Sequence, residues 1–186
     1  MRYYGLFSEN FEKAIENNQK VLQLYPDLGP AYSGLASVYH IKAITEYRHG
    51  NDPRKFITKA EHYQLKYLQT NPNASYTYML CSHAYLHLGM YECAKGKNLD
   101  ESLQKAIMYG KNAIKVNLNN DGAFINISNS YSISALFRMQ RGDNPTTAIA
   151  EAQKAVDRSL QIGPQYFAWY TDKNNMEWLS SPWAIN

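Results

Sequence analysis

The chain has 186 residues, 45% of them hydrophobic, with 19 Lys and Arg against 16 Asp and Glu for a net charge of +3. So close a balance argues against the dense basic stripe of a nucleic-acid binder. No apolar run approaches the roughly 18 residues that a membrane span needs. Eight helices are predicted, at about residues 8–24, 28–49, 53–70, 74–95, 99–116, 120–141, 145–162 and 166–180. In the second of these, Tyr32, Leu35, Ala36, Tyr39 and Ala43 recur at steps of three and four, which places them on one helix face. It stops at Gly50-Asn51-Asp52-Pro53, where Gly permits a left-handed C-terminal residue, Asp can cap the next helix, and Pro suits a first turn. The third helix turns Ile57, Ala60, Tyr67 and Leu68 inward and ends at the breaker Asn71-Pro72. Further on, Gly96-Lys97-Asn98-Leu99 and Gly142-Asp143-Asn144-Pro145 repeat the same punctuation, and the short connections make each helix pair an antiparallel hairpin. The last predicted helix decays, with Lys173, Asn174 and Glu177 where apolar, small and Tyr residues stood before, and an apolar tail runs from Met176 to Trp183.

These elements obey one fixed step of 46 residues: Ala14, Ala60, Ala106 and Ala152; Tyr32, Tyr78, Phe124 and Tyr170; Tyr39, Tyr85 and Tyr131; Gly50, Gly96 and Gly142. A repeat period between about 20 and 50 residues is the signature of a stacked array of supersecondary units. The expectation is therefore an all-α fold, a right-handed α-solenoid of antiparallel helix pairs, spanning residues 1–186 as a single array. The alanine column marks where two helices approach closely, and the aromatic columns fill the wider gaps. Lys13, Lys59 and Lys105, next to those alanines, read as a solvated outer face.

The chemistry-bearing residues point away from catalysis. His83 and His87, four apart on one helix, have a spacing that suits a metal, but Ala84 stands where a zinc protease helix carries Glu, and no third ligand is evident. No phosphate-binding Gly loop occurs. Ser128, Ser130, Ser132 and Ser134 lack a nucleophile-elbow context. No enzyme, cofactor or metal site is expected. Cys81 and Cys93 face different ways within one predicted helix and build no disulfide framework, so a cytoplasmic setting is expected. Asn73-Ala74-Ser75 and Asn126-Ile127-Ser128 match the glycosylation pattern but fall in predicted helices.

The columns resemble the tetratricopeptide repeat. Its first helix carries a large aromatic, an apolar, a small residue and a Tyr, seen here as Tyr32, Leu35, Ala36 and Tyr39, as Tyr78, Cys81, Ser82 and Tyr85, and as Phe124, Ile127, Ser128 and Tyr131. Val21-Leu22-Gln23-Leu24-Tyr25-Pro26 matches its closing stretch. The family's usual period is about 34. The extra residues here fall between the first-helix Tyr and the second-helix Ala, so each helix gains roughly 9 Å. Long hairpins with such a Gly turn look like arrays attached to some bacterial Ser/Thr protein kinases, although no kinase motif is present. The chain reads as a piece of a longer protein, the alternative being a small protein capped by its own last helix.

The resemblance implies a concave surface lined by first helices and a protein or peptide partner. Its binding positions fall at Ser33, Ser37 and His40, then at Tyr76, Met79, His83 and His87. They continue with Ile125, Asn129 and Ser132, and end at Thr171 and Asn175. The column Ser37, His83, Asn129, Asn175 is polar throughout, and an Asn can hold a peptide backbone through both donor and acceptor. Members that clamp C-terminal carboxylates carry Lys and Arg at groove positions occupied here by Pro30, Ser33, Tyr76, Met79, Gly122 and Ile125, so a neutral extended segment or helix fits better. The alternative function is a structural homo-oligomerisation module pairing through open ends or the Trp-rich tail. Ala106→Leu should overpack the hairpin by roughly 1–3 kcal/mol. An unchanged thermal midpoint would show the packing register to be wrong.

Overall fold

The computed structural model describes residues 2–163, with side chains from Asn10 onward. Seven helices are present among them: α1 (Arg2–Leu24), α2 (Gly29–Arg48), α3 (Arg54–Thr70), α4 (Ser75–Ala94), α5 (Asp100–Val116), α6 (Asp121–Gln140) and α7 (Thr146–Ile162). The described residues contain no strand. From α2 onward each helix sits within the span its sequence predicts. α1 begins six residues before the expected start, running straight through Gly5, a residue that weakens a helix without forbidding it. The eighth predicted helix lies outside the described residues.

The turns between paired helices are built alike. Gly50, Gly96 and Gly142 have φ of 74°, 62° and 76°. The next N–H reaches back five residues in each case, from Asn51 to the Glu46 carbonyl (3.0 Å), Lys97 to Glu92 (2.8 Å) and Asp143 to Arg138 (2.8 Å). That pairing caps the orphan carbonyls at the end of the first helix. On the far side of the turn, Asp52, Asn98 and Asn144 each accept from the backbone N–H two residues on, at 3.0, 3.0 and 2.9 Å. The same two devices thus set the hairpin geometry three times, at the 46-residue step.

Packing is local along the chain. Each hairpin partner packs on the other (α2 on α3, α4 on α5, α6 on α7), and the first helices also touch in succession, α2 on α4 and α4 on α6. The backbones of the second helices α1, α3, α5 and α7 stay farther apart, and α3 and α5 meet through side chains, the Tyr109 phenol donating to Glu61. On the α2–α4–α6 side, successive first helices pack directly on one another.

Small residues permit the close approaches. Ala60 and Ala106 are wholly buried, and the Ser82 hydroxyl donates to the Ala106 carbonyl at 2.7 Å across the α4–α5 hairpin. A methyl group added at Gly110 would meet Ile127 Cγ1 at 2.7 Å, so α5 and α6 also meet at a residue without a side chain. Around these points the aromatic rings stack: Tyr39 on Tyr63 at 5.7 Å and, one step on, Tyr85 on Tyr109 at 6.0 Å. Such pairs contribute about 0.5–1.5 kcal/mol beyond their buried area. The third pair is lost because Ala155 stands where Tyr63 and Tyr109 stood.

The lysine column is more than a solvated face. Lys59 Nζ lies 5.0 Å from the Tyr39 ring centre and Lys105 Nζ 4.9 Å from that of Tyr85, so each ammonium covers the tyrosine of the first helix in its own hairpin. In the third unit Glu151 takes the lysine position and pairs with Lys154 at 2.6 Å.

Gly142→Ala places a side chain in the left-handed region with no neighbour within 4 Å of the new methyl, so only conformational strain opposes it. A loss of about 1–2 kcal/mol is expected in urea titration. Gly122→Ala, in the first turn of α6 and at ordinary contact distance from Met79, should be neutral or stabilising by up to about 1 kcal/mol.

Candidate functional site

Most of the predicted positions are at least partly exposed, though not all. Ser37, Asn129 and Ser132 are exposed, and Ser33, Met79, His83 and His87 are half-buried. Tyr76, at the start of α4, is 66% exposed. His40 and Ile125 are buried and offer no surface to a ligand. His40 lies under His83 of the next repeat, its Nε2 3.1 Å from His83 Nδ1. Beside Ile125, the Asn126 side chain donates to the Met79 carbonyl at 3.2 Å, which draws that part of α6 onto α4. Thr171 and Asn175 lie outside the described residues.

The histidine pair has a third member that sequence spacing could not reveal. His40 comes from α2, 43 residues before His83, and only the α2–α4 contact brings them together. The ring centres lie 5.3 Å apart for His40 and His83 and 4.3 Å for His83 and His87, with Tyr47 set edge-on to His87 at 5.1 Å. His87 Nδ1 donates to the His83 carbonyl, one turn back, at 2.9 Å. Burial lowers the pKa of all three, His40 to about 4 and His83 well below the ordinary imidazole value, with neighbouring imidazoles opposing a second charge on His40 and His83 and Arg48 opposing charge on His83 and His87. Among the described residues, no group of three or more His, Cys, Asp or Glu is disposed to hold a metal ion.

On the opposite side of the same repeat junction lies an acidic residue that the sequence gave no reason to single out. Glu61 of α3 accepts from the phenol of Tyr85 on α4 and from that of Tyr109 on α5, both at 2.6 Å. Both phenols are held well above their usual pKa by burial and by the facing carboxylate. Nearby, Glu92 accepts from Arg54 at 3.0 Å and from Ser102 at 2.6 Å at the edge of a cleft of about 170 Å³. The charges around this cleft are paired among themselves, Arg54 with Glu92 and Lys105 with Glu101 at 3.5 Å, which leaves no surplus charge to draw an ionic ligand.

Other reactive groups are committed to structure. Cys81 is buried, donates to Gln64 Oε1 at 3.0 Å and has its thiol pKa pushed up by burial; both cysteines are free. Ser128 and Ser130 are buried, and Ser130 donates to the Asn126 carbonyl at 2.7 Å. A neutral polar stitch joins α4, α5 and α6 at the loop end, where Asn120 Nδ2 donates to Ser75 Oγ and Ser75 Oγ to the Ala113 carbonyl, each at 2.8 Å. No described helix is long and apolar enough to cross a membrane.

Replacing Glu61 by Ala strands two buried phenols at once, for which a loss of about 3 kcal/mol is expected in denaturant titration. Glu61→Gln keeps one acceptor oxygen and should lose about half as much; equal effects would show that the oxygen Gln retains contributes nothing. No family model matches the chain, and no curated protein matches it.

Proposed function

We propose that the chain is a tetratricopeptide-like protein-interaction scaffold whose inner face receives an extended peptide or a helix. The observation that carries this reading is the asymmetric stacking. The first helices pack backbone to backbone in succession, whereas the second helices stay farther apart and α3 meets α5 through side chains. That spacing fits a curved stack with α2, α4 and α6 side by side as a concave wall. Such walls are the binding surfaces of stacked repeat proteins. Ser37 and Asn129 supply exposed donors and acceptors at equivalent heights on α2 and α6, and Tyr76 supplies an aromatic anchor of the kind that dominates interface energetics. The near-neutral wall suits a partner bound through backbone hydrogen bonds and apolar anchors. On this reading the array is a recognition arm of a larger signalling protein.

A second reading, self-association through an end of the stack, is favoured by one residue. Ile149 is 52% exposed, whereas Ile57 and Leu103 at the same repeat position are 1% and 3% exposed.

The test is selection of peptides from a displayed library, followed by affinity measurement on purified protein. Asn129→Ala combined with Tyr76→Ala should weaken selected peptides at least about tenfold while leaving the thermal midpoint in place, since both side chains are exposed. Undiminished binding would move the site off the inner face. Light scattering of Ile149→Glu addresses the second reading: a wild-type oligomer that becomes a monomer supports self-association, and a monomer in both cases removes it.

A further inference from the structure

We propose that His40, His83 and His87 form an acid-sensitive latch between the first two repeats, closed at neutral pH and opened by protonation so that α2 separates from α4. The argument begins with the hydrogens. His87 Nδ1 faces a carbonyl, which only accepts, so that nitrogen carries the proton and the neutral ring leaves Nε2 bare. His40 Nε2 and His83 Nδ1 face each other at 3.1 Å, so one must donate and the other accept. His40 Nδ1 is buried without a partner. An unpaired acceptor lone pair is tolerated inside proteins more often than an orphaned N–H. The proton of His40 therefore sits on Nε2 and points at His83 Nδ1.

This arrangement has no room for added protons. A proton on His40 would occupy the buried Nδ1, which has no acceptor. A proton on His83 Nδ1 would turn the inter-repeat hydrogen bond into two N–H groups facing each other. A charge on His87 would lie 4.3 Å, ring centre to ring centre, from His83. Among the described residues, no carboxylate acts on the three rings to compensate. From α2, Arg48 opposes added positive charge and Tyr47 presents its ring to His87, while Glu46 is bonded to Asn51. On α1, Glu12 pairs with Lys42 and Glu16 with Lys20. Glu61 of α3 is taken by two phenols, Lys59 by Tyr39, Glu92 of α4 by Arg54 and Ser102, Lys105 of α5 by Tyr85 and Glu101, and Asp121 of α6 by the Gly122 N–H. At the next junction the equivalent residues are Leu86, Asn129 and Ile133, none of which titrates. The device belongs to one joint of the stack.

The direction with pH follows from linkage. A buried His whose pKa is lowered in the closed state binds fewer protons there than when solvated. Closure is therefore fully favourable above about pH 6.5 and is lost progressively as pH falls toward the closed-state value. For His40, at about 4, the opening constant should rise roughly twentyfold between pH 7 and pH 5.

Hydrogen exchange of the full chain at pH 7 and pH 5, corrected for intrinsic exchange, tests the latch. Protection in α2 and α4 should fall at least about tenfold while that in α7 holds. The variant His40→Leu/His83→Asn/His87→Ile, which copies the residues of the second junction, should lose this pH dependence. A uniform fall across all helices, no fall, or the same fall in the variant would overturn the proposal. If the variant fails to fold, titration of the three imidazoles by NMR in the wild-type chain decides. Resistance to protonation until α2 and α4 lose protection supports the latch; protonation above pH 6 with protection intact overturns it.

Discussion

Everything larger in the molecule is arranged around the few levels at which neighbouring helices come almost into backbone contact. Ala106, wholly buried, accepts the Ser82 hydroxyl through its carbonyl across the hairpin, and Gly110 leaves Ile127 the space a methyl would take. Once two helices are pinned so closely, bulky side chains find room only above and below the pin. That is where Tyr39 and Tyr63, and Tyr85 and Tyr109, stack. The lysine one residue before Ala60 and before Ala106 is then carried over the tyrosine ring. Close approach, ring stacking and cation placement are consequences of a single spacing, which explains why the step of 46 residues is kept without insertion through all of these columns.

Much of this could be read in the sequence, and for an identifiable reason. Helix ends are set by local chemistry: a glycine at positive φ followed by an Asp or Asn that accepts from the N–H two residues on. Such signals depend on neighbours within a few residues, so they survive in the one-dimensional string. Repetition multiplied them, because each column could be checked against two or three others. α1 starts earlier than the repeat step indicates, because the residues before Ser8 match no column of the repeat and Gly5 weakens a helix without ending it.

The site was legible to a lesser degree. Helical period and the repeat step sort residues by face, and Ser37, Asn129 and Tyr76 stand on the surface as that sorting anticipates. Period does not tell how far one repeat overlaps the next. His40 and Ile125 belong by column to the expected binding face, yet His40 lies where α2 meets α4 and Ile125 where α6 meets α4, and both side chains are buried. Glu61 shows the complementary failure. Its column reads Ile15, Glu61, Ile107 and Gln153, so repetition makes the carboxylate look like an unremarkable exception. Only the fold shows two phenols from two other helices converging on it.

These exceptions fall together, and their grouping has a mechanical meaning. The junction between the α2–α3 and α4–α5 hairpins is held by histidines on the inner side and by Glu61 and the Arg54–Glu92 pair on the outer side. The junction with α6 has neutral links instead, from Asn126 to the Met79 carbonyl and from Asn120 to Ser75, over an apolar contact that includes Ile127. Apolar contacts and neutral amide bonds respond little to salt or acid, whereas ionic and imidazole bonds respond to both. The stack is therefore a stiff second joint beside a first joint tuned by its chemical surroundings. Because the outer-side bonds of the first joint lie across the helices from the histidines, weakening the inner side alone turns the hairpins about the Glu61 and Arg54 contacts. The spacing between α2 and α4 would then open while that between α4 and α6 stays fixed. A ligand held as proposed between Ser37 and Asn129 would bridge both joints, so its grip would depend on the angle at the first.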